Sequence, residues 1–194
     1  MDNLILKLYS QPGTVFTISE IAQLLPGVSD ESLRDKLYYF SKTGKLKRLR
    51  HGIYAKEGYN PFELANRIYT PSYISLETVL VGAGVVFQYY ETIFLMSYLS
   101  RHMEVDGRRI QYRQLKSEIL INTAGIEQKE GYFTASVERA FLDAIYVYKN
   151  YHFDNLGVLD WDKVADLKKI YRSKALEKRS TAYYKIYQEE YGKH

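Results

Sequence analysis

Apolar positions in the first sixty residues recur at helical spacing in three short blocks, and then alternate around a glycine turn. Leu4, Ile5, Leu8 and Tyr9 form an i, i+1, i+4, i+5 stripe, which predicts a helix that stops at Gln11-Pro12-Gly13. Thr17, with Glu20 three residues on, predicts a capping box for a second helix that buries Ile21, Leu24 and Leu25 and ends at Pro26-Gly27. Ser29 or Asp30 caps a third helix, with Leu33, Leu37 and Phe40 inward and Gly44 at its C-terminal end. Only Val28-Ser29-Asp30 is expected to separate the second helix from the third. A hairpin follows, turning at His51-Gly52 into IYAKE, and pairing about that turn sets Lys47 opposite Lys56.

Beyond about Tyr59 the pattern changes. FELANRIY predicts a short helix, broken at Thr70-Pro71, and Ser75 is the expected cap of a helix through SLETVLVGAG, with Thr78, Val79 and Gly82 behind it. Between residues 92 and 135 strands are predicted at TIFLMSYL, RHMEV, RRIQYRQL, EILIN and GYFTA, with Asp106-Gly107 as a hairpin turn. Ser136 caps a helix that carries Val137, Ala140, Phe141, Ala144, Ile145 and Tyr148 on one face. Two amphipathic helices meeting near Arg172-Ser173 complete the chain. The expected fold is therefore α+β. Residues 1–58 read as a winged helix-turn-helix DNA-binding domain, from the order helix, helix, tight turn, helix, two-stranded ribbon. Residues 59–194 read as an α+β domain with antiparallel strands and C-terminal helices.

Charge sharpens this picture. The 194 residues carry a net charge of +4, and 46% of them are hydrophobic, enough for a packed core. Residues 1–58 hold nine Lys+Arg against six Asp+Glu, whereas the remainder hold eighteen against seventeen. Five cations fall between Lys42 and Arg50. A basic edge strand can serve only solubility, but this strand has no acid, and a like-charge cross-strand pair costs stability unless an anion lies nearby. Phosphate contact is the better explanation. The candidate DNA-binding residues are Ser32, Arg34, Lys36, Tyr39 and Lys42 on the outward face of the third helix. From the hairpin come Lys45, Lys47, Arg48 and Arg50, with His51 at the tip. Arg34 suits guanine, Asp35 or Ser32 suits other base edges, and the hairpin cations suit the backbone.

The remaining chemistry is thin. Without cysteine there is no disulfide, no Cys-ligated zinc and no thiol nucleophile, which fits a reducing compartment. No apolar run approaches the roughly 20 residues that span a bilayer, and the N-terminus lacks a signal peptide's basic start, so a cytoplasmic protein is expected. VGAG at 81–84 lacks the third glycine of a dinucleotide loop and reads as a helix end. His51, His102, His152 and His194 have no metal-ligand spacing. Arg139 and Asp143, four apart beside the buried stripe, read as a structural pair. Asp160 and Asp162 read as a helix cap and first turn, so Asp154, Asp160, Asp162 and Asp166 do not make a metal cluster. No catalytic, cofactor-binding or metal residue is assigned, and a non-enzyme is expected.

Three segments resemble a known family. SKTGKLKRLRHGIYA is similar to the wing of the AbiEi family of type IV antitoxins, a helix end and glycine followed by a basic strand and Gly-Ile/Val-Tyr. TPSYISLETVL resembles the family's P-x-Y-I-S-x-x-S/T-A-L segment through Pro71, Tyr73, Ile74, Ser75, Leu76, Thr78 and Leu80. SVERAFLDAIY resembles its S-x-E-(K/R)-A-L-x-D helix through Ser136, Glu138, Arg139, Ala140, Phe141 and Asp143. Val79 and Phe141 depart from the usual Ala and Leu. The resemblance implies a bacterial transcriptional repressor that binds inverted repeats of double-stranded DNA in its own promoter. It also implies an antitoxin that counteracts a nucleotidyltransferase-type toxin without a tight complex. The alternative is a winged-helix regulator whose second half, with sixteen of the twenty tyrosines, senses a small ligand and has no toxin partner.

Overall fold

The computed structural model describes residues 3–192, so His194 lies outside the described residues. The chain begins with α1 (Asn3–Ser10), β1 (Val15–Thr17), α2 (Ile18–Gln23), α3 (Asp30–Lys42), β2 (Lys47–Arg50) and β3 (Ile53–Ala55). The Thr17 hydroxyl accepts from the Glu20 N–H, and the Glu20 carboxylate accepts from the Thr17 N–H, which closes the expected capping box of α2. Ser29 caps α3, and Gly44 follows the C-cap at φ 71°. Leu33, Leu37 and Phe40 of α3 pack with Leu4, Leu8, Phe16, Ile21, Leu46 and Tyr54.

Three local expectations change. Val15–Thr17 is a strand, too short for its alternation to register, and it completes a sheet of order β1-β3-β2. The α-helical part of α2 ends at Gln23, and its last turn is closed by i→i−3 bonds from the Leu24 and Leu25 N–H groups ahead of Pro26-Gly27. Leu24 and Leu25, expected to be buried, are therefore half-buried. Leu49 is an extra residue in β2, so Arg50 pairs with Ile53, Arg48 with Tyr54 and Lys47 with Ala55. Lys47 is therefore not opposite Lys56. The Lys56 ammonium instead donates to the Gln11 carbonyl at 2.6 Å, between the rings of Tyr9 and Phe16.

The rest of the chain runs α4 (Pro61–Ile68), β4 (Ser72–Ile74), α5 (Glu77–Gly82), β5 (Ile93–Ser97), β6 (Arg101–Val105), β7 (Arg108–Gln114) and α6 (Ser117–Leu120). Then come β8 (Ile126–Lys129), β9 (Tyr132–Ala135), α7 (Val137–Val147), α8 (Trp161–Leu167) and α9 (Lys174–Tyr191). A six-stranded sheet has the order β6-β7-β5-β4-β9-β8. Its β4–β5, β6–β7 and β8–β9 pairs are antiparallel, whereas β4–β9 and β5–β7 are parallel. The fold is thus mixed α+β with antiparallel hairpins and C-terminal helices. EILIN is a helical turn rather than a strand, since three consecutive apolar residues cannot separate the two. β8, polar along its exposed length, carried no strand signal. Ser75 does not cap α5, whose cap is Leu76; its hydroxyl is used elsewhere, as described below. No helix among the described residues is long and apolar enough to cross a membrane.

Alternation along β3 ties the two halves together. Tyr54 points into the N-terminal helices, while Ile53 and Ala55 point the other way. With Val15 they join Leu64, Ala65, Ile74, Ile93, Leu95, Val105, Ile110 and Tyr112 in a second apolar cluster. The small sheet is therefore covered on both faces, and a shared core runs across residue 58. Glu63 of α4 reinforces the junction, for its buried carboxylate accepts from the Thr14 N–H at 2.8 Å and hydroxyl at 2.6 Å.

Candidate nucleic-acid interface

Along α3 the residues Arg34, Tyr38 and Lys42 stand at i, i+4 and i+8, so they form one exposed row. Arg48 shares a sheet face with Tyr54, its cross-strand partner, and that face looks toward α3. The β2–β3 turn adds His51. A cleft of ≈ 370 Å³ between α3 and the turn is lined by Arg34, Asp35, Tyr38, Ser41, Arg48 and His51, with Ile18 and Tyr54 behind them. The Lys42 ammonium lies 5.6 Å from the centre of the Tyr38 ring at the margin of this cleft. Tyr38, 63% exposed, was not among the expected site residues. Its place one turn beyond Arg34 was the signal that identifies it.

The other candidates lie elsewhere. Ser32, Lys36 and Tyr39 form a second row on α3, away from the cleft: the Ser32 N–H is held by the Ser29 hydroxyl, and the Tyr39 ring stands edge-on to Phe40. Lys45 reaches back over the Phe40 ring at 5.8 Å. Lys47 and Arg50 project from the opposite face of the small sheet. The Lys47 ammonium lies 2.7 Å from both carboxylate oxygens of Asp106, in the β6–β7 turn. The Tyr59 hydroxyl donates to the same carboxylate at 2.7 Å. Lys47 and Tyr59 hold the Asp106 carboxyl below its ordinary pKa. The half-buried Arg50 guanidinium rests on the Met103 sulfur at 3.8 Å. The ten candidates thus divide: Arg34, Arg48 and His51 meet in one cleft with Lys42 beside it, and Lys47 and Arg50 face the second half of the chain. The acid missing from the β2 sequence is supplied in space by Asp106.

A second polar centre is closed to solvent. Arg139 and Asp143 of α7 are both fully buried, with Arg139 Nε 3.7 Å from Asp143 Oδ1. The guanidinium donates to the carbonyls of Ala124 and Ile119 and to the Tyr73 hydroxyl. The Asp143 carboxylate accepts from the hydroxyls of Ser75 at 2.8 Å, Tyr171 at 2.6 Å and Tyr73 at 3.0 Å. Burial pushes the Asp143 carboxyl upward, against the opposing pull of Arg139 and the three hydroxyls. Burial also holds the Tyr73 and Tyr171 phenols well above their usual range, so both remain proton donors at neutral pH. Tyr73-Ile74-Ser75 and the helix from Ser136 to Asp143, distant in sequence, are joined by this network.

Asp160 caps α8 as expected, accepting from the N–H groups of Asp162 and Lys163. Among the described residues no group of three or more His, Cys, Asp or Glu side chains is placed to hold a metal ion. The chain matches no model of a known protein family, and comparison with curated proteins gives no match.

Proposed function

We propose that this chain is a DNA-binding transcriptional repressor whose N-terminal segment, residues 1–58, works as a winged helix-turn-helix, with α3 as the groove-reading helix and the β2–β3 hairpin as the wing. The observation that carries the reading is the convergence of Arg34, Arg48 and His51, with Asp35 and Tyr38, on one cleft between helix and hairpin, beside which Lys42 lies over the Tyr38 ring. Cations on two elements at such a junction can grip a phosphate rail while the helix row meets base edges. Tyr38 adds a flat ring and a hydroxyl to that surface.

The operon-level part of the proposal follows the AbiEi resemblance. The chain autoregulates by binding inverted repeats in its own promoter, and its second half relieves a nucleotidyltransferase-type toxin. Support comes from the motif residues Tyr73, Ser75, Arg139 and Asp143, which form a single scaffold network rather than scattered surface matches.

Gel-shift titration on the upstream promoter, repeated across a salt series, tests the DNA half. Arg48→Ala is expected to flatten the slope of log K against log salt by about one unit, whereas Arg34→Ala is expected to cost about 1–3 kcal/mol and relax base preference at one position. A wild-type affinity indifferent to salt, or a slope unchanged in Arg48→Ala together with unchanged base preference in Arg34→Ala, overturns it. Co-expression with the adjacent gene tests the toxin half, which predicts growth rescue that is lost when residues 59–194 are removed.

A further inference from the structure

Lys47 is the cation of the basic hairpin that lies closest to a carboxylate, and the arrangement around it is built rather than incidental. Asp106 occupies the first turn position of the β6–β7 hairpin at φ 53°, ahead of Gly107 at φ 71°, so the turn conformation fixes where its side chain projects. Tyr59 holds one carboxylate oxygen, and the Lys47 ammonium bridges both. Leu49, Ile53 and Ala55 pack the hairpin against the cluster containing Val105 and Ile110, so the two partners are held in register by apolar contact. The Lys47 side chain remains 54% exposed.

We propose that Asp106 competes with DNA phosphate for Lys47, so that a carboxylate from the second half sets the affinity of the wing. This rests on the DNA-binding reading above and adds to it an affinity-determining residue outside the DNA-contacting segment. An ammonium already neutralised at 2.7 Å has less to gain from a phosphate, because the ion pair must be given up first. Arg48 on the opposite face has no such competitor in its cleft beyond Asp35. The hairpin thus presents cations on two faces, Arg48 toward the α3 cleft and Lys47 against a carboxylate of the second half. A change that moves the β6–β7 turn away from Lys47 releases that cation and strengthens DNA binding.

The test is a double-variant cycle read on promoter affinity at about 0.1 M salt, near a 10 Å Debye length. Asp106→Asn keeps the turn, because Asn tolerates positive φ as readily as Asp. It is expected to tighten binding by about threefold, the scale of a partly exposed ion pair. In a Lys47→Gln background the same change is expected to do nothing, and Glu104→Gln, which removes an exposed acid from the same hairpin, is expected to leave affinity unaltered. Affinity unchanged in Asp106→Asn overturns the proposal. So does a gain that persists without Lys47 or is matched by Glu104→Gln, because the effect is then general electrostatics. Thermal melts of the free proteins read the Lys47–Asp106 coupling without DNA. Coupling in the melts with no DNA binding by any variant defeats the repressor reading and this proposal with it. Binding that depends on Arg34 and Arg48 but ignores Asp106 defeats this proposal alone.

Discussion

Arg139 and Asp143 stand one turn apart on α7 with no exposed surface, and each relies on the other's charge and on tyrosine and serine hydroxyls. Removing one member leaves the other buried and uncompensated, which is far costlier than removing both. Arg139→Met is expected to lower unfolding stability by about 3–5 kcal/mol, read by urea denaturation. The Arg139→Met, Asp143→Leu double variant is expected to recover most of that loss. A single variant as stable as wild type contradicts the account. Asp106 differs in kind. Its ion pair with Lys47 is solvent-reached, so it contributes at most about 1 kcal/mol to folding.

The exit of α3 shows how one backbone position sets the relation between helix and hairpin. Gly44 lies in the left-handed region at φ 71°, and no atom lies within 4 Å of where a Cβ would stand. Steric space is therefore not the issue; backbone conformation is. Gly44→Ala is expected to cost about 1–2 kcal/mol, the penalty of a left-handed backbone for a residue with a Cβ, a fall in Tm of about 2–8 °C for a chain of this size. Calorimetry checks it, and the salt slope of DNA binding should stay as in wild type. The bulge at Leu49 acts on the same scale. It turns Lys47 and Arg50 to one face of the sheet while Arg48 stays on the other, so a single extra residue decides which cations meet the α3 cleft.

Across the whole molecule, the apolar cluster that takes in Val15, Ile53 and Ala55 together with Leu64, Leu95 and Tyr112 makes the small sheet a middle layer. A fragment of residues 1–58 keeps the N-terminal helices but bares that face of the sheet. It is expected to self-associate and to melt well below the full chain, as measured by sedimentation and circular dichroism. A monomeric fragment with the full chain's Tm contradicts the layered arrangement.

The local features were legible in the sequence: the capping box at Thr17 and Glu20, the inward stripe Leu33, Leu37 and Phe40, the turn at Asp106-Gly107, and the Arg139–Asp143 pair. Each involves residues within one turn or one hairpin of each other, where periodicity and capping chemistry act. The cationic character of residues 42–50 was equally plain. Tertiary structure decided which of those cations face α3, why Lys47 is matched by an acid 59 positions away, and why Ser75 serves Asp143 rather than a helix cap. It also decided that β4–β9 and β5–β7 run parallel. Such contacts join segments remote in the chain, where side-chain spacing along one element holds no record of what packs against it.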